Sequence, residues 1–142
     1  MAEFENNSSN VTSSNQNSSP SSAFYLLPSE NPTQALVSPL LNNNNYHIWS
    51  RAITMALRSK VKFGFVNGRI SKPEEDRQNF DDWDRCNITV SCWIMNSVLP
   101  SIKPNISRFH TVREMWKDLQ ARISKIDFSR ISDVQEEIYL LK

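Results

Sequence analysis

The chain has 142 residues, a formal net charge of +1 and a pI of about 7.8. That length favours one domain, and so small a charge gives no bulk electrostatic argument for nucleic acid or an acidic partner. Two histidines, two cysteines and two glycines leave little material for a zinc site, a catalytic triad or a phosphate-binding glycine loop.

Residues 1–22 are dominated by Asn (5) and Ser (8), and Phe4 is their one aromatic. Such a stretch cannot bury enough apolar surface to offset its ordering entropy, so a disordered tail is expected. Asn-x-Ser/Thr triplets such as those at Asn7, Asn10 and Asn17 are a by-product of that composition. There is no basic run followed by an apolar run at the N-terminus, and no apolar stretch approaches the roughly 18 residues of a membrane span. The expected location is the cytoplasm, with the nucleus open.

Residues 23–45 read as a short extended lead-in. Pro28, Pro32 and Pro39 oppose a long helix, and Leu36, Val37, Leu40 and Leu41 are candidates to pack on the core. Asn42–Asn45 is a polar break with helix N-cap chemistry. A first helix is predicted over residues 45–60, because Tyr46, Trp49, Ile53, Ala56 and Leu57 form a stripe at helical spacing. Gly64 and Gly68 then bracket Phe65-Val66-Asn67. Gly64 is assigned either a positive φ or a close approach, and Phe63, Phe65 and Val66 an apolar plug under the helix.

Beyond Pro73 an acidic linker leads to a second helix over residues 81–98, with Trp83, Cys86, Asn87, Val90, Trp93, Ile94 and Ser97 on one face. Pro104 is expected to keep the next connection open. Thr111-x-x-Glu114 is a capping box that starts a third helix, whose stripe is Val112, Met115, Trp116, Leu119 and Ile123. A fourth helix is predicted from Phe128 or Ser129 through Ile131, Val134, Ile138 and Leu141, still in register at residue 142, so the chain reads as a truncated piece. The fold class expected is all-α, four or so helices in a compact capsid-like bundle.

The candidate chemistry is sparse. His47 and His110 have no partner at ligand spacing, and Cys86 and Cys92, six apart, fit reduced, buried intracellular thiols. The acidic linker lacks the spacing and glycine of a calcium loop. No nucleophile–base pair argues for an enzyme. Trp49, Trp83, Trp93 and Trp116 fit core positions better than a stacking platform for bases. Charge is segregated. Residues 46–72 hold Arg51, Arg58, Lys60, Lys62, Arg69 and Lys72 and no acid, while residues 73–86 hold six acids against Arg77 and Arg85. These are either two solvated faces or surfaces that dock copies head to tail, with Arg51, Arg58, Lys60 and Lys62 as the basic one.

The chain resembles the N-terminal gag domain of plant Copia-type retrotransposon polyproteins over residues 23–142. The resemblance is carried by Tyr25, Pro28, Asn31-Pro32, Leu41-Asn42, Asn45-Tyr46, Trp49, Met55-Ala56-Leu57, Lys60 and Lys62. It continues through Gly64-Phe65-Val66-Asn67-Gly68, Pro73, Trp83, Asn87, Trp93-Ile94, Asn96-Ser97, Glu114-Met115-Trp116, Asp118-Leu119 and Arg122. The chain departs from the family pattern at Ser124–Phe128, where Ile123 stands in place of a Phe. The resemblance implies a helical, self-assembling structural protein of particles that package element RNA, with no cofactor, small-molecule substrate or membrane. RNA binding would fall to a zinc knuckle further downstream, outside these residues. Tyr46, Trp49, Leu57, Gly64, Phe65, Gly68, Trp83, Trp93, Trp116 and Leu119 are its motif and core positions. Alternatives are a small helical nucleic-acid binder using residues 51–72, and a decayed gag remnant without activity.

Overall fold

The computed structural model describes residues 22–125. The expectations for residues 1–21 and for a helix from Phe128 or Ser129 lie outside the described residues. The described residues are all-α. They form α1 (Tyr46–Ser59), α2 (Gly64–Asn67), α3 (Phe80–Met95), α4 (Lys103–Ile106) and a last helix, α5, over residues 112–125.

Helix α1 forms because its apolar residues recur every three or four positions, and Tyr46, Trp49, Ile53 and Leu57 are all buried. Its start differs from expectation. The Asn45 side chain makes no cap to the helix. It closes the preceding turn instead, accepting from the Asn42 N–H (2.8 Å) and donating to the Leu40 carbonyl (2.9 Å). Helix α3 buries Trp83, Cys86, Asn87, Val90, Ser91, Trp93 and Ile94, and it ends three residues earlier than predicted. Val98 is drawn out of helical register by an isolated parallel bridge to Leu41. The Leu41 N–H donates to the Ser97 carbonyl (2.9 Å) and the Leu99 N–H to the Leu41 carbonyl (3.1 Å).

Pro104 does not hold the next connection open. It sits in the first turn of α4, where its missing N–H costs no helical bond. The Thr111 hydroxyl accepts from the Glu114 N–H (3.2 Å), as a capping box requires. The Glu114 carboxylate accepts from that hydroxyl (2.9 Å) rather than from the Thr111 backbone.

One core unites these elements. Trp49 and Trp116 stack with ring centroids 5.8 Å apart, and Phe63 meets Trp116 edge-on. The Trp49 indole donates to the Ser97 carbonyl (2.8 Å), tying α1 to the end of α3. Asn87, buried in α3, donates to the His110 carbonyl and accepts from the Val112 N–H, both at 2.9 Å. It thereby satisfies one of the free donors at the start of α5 from another helix.

Candidate interaction surface around the turn after α1

The basic run of residues 51–72 does not form one continuous surface. Arg51 and Arg58 are exposed, as the charge pattern predicts. Lys60 is half-buried, 3.2 Å from the Glu30 carboxylate, with its ammonium 5.1 Å from the centre of the Trp93 ring. Lys62 overturns its assignment to the surface. It is only 2% exposed, and its ammonium donates to the Tyr25 carbonyl (2.6 Å) and the Lys60 carbonyl (3.2 Å). Burial lowers its pKa from the ordinary lysine value.

Backbone geometry turns Lys62 inward. The Val61 N–H donates to the Arg58 carbonyl and the Lys62 N–H to the Leu57 carbonyl, the paired bonds of a Schellman helix end. That motif needs a left-handed residue, and Val61 fills the position with a φ of 57°. The next residue is thereby directed under the helix.

Of the expected motif residues, Tyr46, Trp49, Leu57, Phe65, Trp83, Trp93, Trp116 and Leu119 are all buried. Gly64 has no positive φ, and close approach explains it: a Cβ there would lie 2.8 Å from the Ile70 Cδ1. Gly68 caps α2 with φ 85°. Cys86 is fully buried and Cys92 partly so. Burial pushes the Cys86 thiol up to about 11, and its S–H faces the Phe24 carbonyl at 3.4 Å.

Two cavities flank α2. One, of about 450 Å³, is lined by Arg58 and Arg69 over an apolar floor that includes Phe63 and Ile70. The other, of about 480 Å³, lies between α2, α3 and the start of α5, and is lined by Lys72, Arg113 and Trp83 among others. Asn67 and Ile70 line both. Arg69 and Lys72 belong to the basic run. Arg113 had no local sequence signal as part of this surface, since it reaches α2 only through the fold, donating to the Val66 carbonyl (3.0 Å). Among the described residues, no group of three or more His, Cys, Asp or Glu stands where it could hold a metal ion, and no helix is long and apolar enough to cross a membrane.

Residues 27–74 match the family model described as the Gag-polypeptide of LTR copia-type. No curated protein and no solved structure matches the chain. The matched span takes in the lead-in from Leu27, all of α1, the Val61 turn and α2, and it stops before α3. The resemblance carried by Asn45-Tyr46, Trp49 and the Gly64–Gly68 element is thus borne out, and residues 27–74 are similar to the gag polypeptide of copia-type elements.

Proposed function

We propose that this chain is a gag-derived structural module that acts by associating with further copies of itself, in particles that package element RNA, in the cytoplasm. The observation that carries this reading is the family match over residues 27–74, whose motif residues anchor a helical core. Its role is structural rather than catalytic. The reading as a nucleic-acid binder through residues 51–72 loses support from the geometry, because the Lys62 ammonium is spent on carbonyls inside the fold and Lys60 is paired with Glu30. Light scattering and negative-stain microscopy of the purified chain across a concentration series test the proposal. Concentration-dependent growth into particles is expected, and a monomer at every concentration overturns it.

A further inference from the structure

We infer that the basic groove around α2 receives the acidic linker of a second copy of this chain. This rests on the self-association proposed above and names the surfaces that carry it. The two cavities share Asn67 and Ile70, and place Arg58 and Arg69 on the first and Lys72 and Arg113 on the second, so that four cations line this basic groove around α2. Glu114 is the one acid in either lining, and its carboxylate already accepts from Thr111. Arg58, Arg69 and Lys72 are exposed, and no carboxylate among the described residues pairs with them. Across the two linings four cationic side chains thus stand against one carboxylate that is already engaged.

The complementary group lies a few residues away. Glu74, Glu75, Asp76 and Asp81 are exposed between Pro73 and the first turn of α3, and they too have no cationic partner among the described residues. Both unpaired sets sit on the same molecule and do not reach each other within it. A second copy brings acid to base, either reciprocally in a closed pair or head to tail in a growing array.

The test uses the full chain and sedimentation velocity. One variant carries Arg58→Glu and Arg69→Glu, and a second carries Glu74→Lys, Glu75→Lys and Asp76→Lys. All five positions are exposed, and an unchanged helical CD spectrum checks that each variant folds. Each variant alone should self-associate at least about tenfold more weakly than the parent chain. An equimolar mixture of the two should recover association, because the reversed charges are again complementary. Parent association should also weaken as salt rises from about 50 to 500 mM. Two variants that assemble like the parent would overturn the groove assignment and leave self-association standing. A basic-site variant that keeps full self-association but loses binding to a single-stranded RNA oligonucleotide would overturn it in favour of nucleic acid. A parent chain that never associates would overturn both readings.

Discussion

At Val61 a β-branched residue holds a conformation that glycine usually takes at a helix end, at a cost of about 1–2 kcal/mol. The residue is 44% exposed, so packing recovers little of that cost. Val61→Gly should therefore raise stability, by about 1 kcal/mol once the extra freedom of glycine in the unfolded chain is deducted, as read from the urea midpoint. A fall in stability would mean that the Val61 side chain contributes more than its backbone strain. The same turn marks where sequence reasoning stopped being sufficient. Tyr46, Trp49, Ile53 and Leu57 could be assigned to the core because their spacing is a local property. Lys62 could not, because what buries it is a left-handed valine before it and the carbonyl of Tyr25, 37 residues upstream. A lysine in a basic run reads as a surface residue, and nothing in the run itself signals otherwise.

Helices α1, α3 and α5 were legible as elements, whereas the one-turn helices α2 and α4 read as a turn and an open connection, and the end of α3 was not legible. Periodicity located α1, α3 and the stripe of α5, and all five residues of that stripe, Val112, Met115, Trp116, Leu119 and Ile123, are buried. The ends depend on partners distant in sequence: the Leu41 bridge draws Val98 away from α3, and Asn87 caps α5 from across the core. Asn87→Ala makes this last dependence measurable. It leaves the Val112 N–H and the His110 carbonyl without their partner, and the Asn87–Val112 bond is buried. A buried polar group left unpaired costs about 1–3 kcal/mol, so chemical denaturation should show a loss of about 2–3 kcal/mol. Thr111→Ala, which removes an exposed cap, should cost about 1 kcal/mol. If Asn87→Ala proves the milder of the two, the local capping box and not the cross-core contact sets the start of α5.

Across the whole molecule, the lead-in of residues 22–41 lacks a helix yet is firmly integrated. Side chains from the helical part satisfy its backbone: Lys62 donates to the Tyr25 carbonyl, Cys86 to Phe24, Trp93 to Asn31 and Asn96 to Pro32, while the Ser97 hydroxyl accepts from the Leu36 N–H. Phe24 adds an edge-on contact to Phe65. The gag-like segment of residues 27–74 thus depends on α3, outside the match, for much of what fixes it. Removing residues 1–35 should uncover the core beneath and take away the carbonyls that Lys62, Cys86, Trp93 and Asn96 bond, costing more than about 3 kcal/mol in denaturant. Cys86 supplies a local readout. With its pKa pushed up to about 11, the buried thiol in the intact chain is ionised on the order of one part in a thousand at pH 8. Because the folded state raises this pKa, the stability Cys86 contributes is complete below about pH 9 and is lost as pH rises through about 11. Lys62 acts in the opposite sense, since its lowered pKa makes the unfolded chain the stronger proton binder between that pKa and 10.5, and so global stability is the poorer probe. Alkylation followed by mass spectrometry at pH 8 separates the sites. The intact chain should be modified at the part-buried Cys92 and resist at Cys86, and the truncated chain should react at both. Continued protection of Cys86 after truncation would show that the helices alone, and not the lead-in, seal this side of the core.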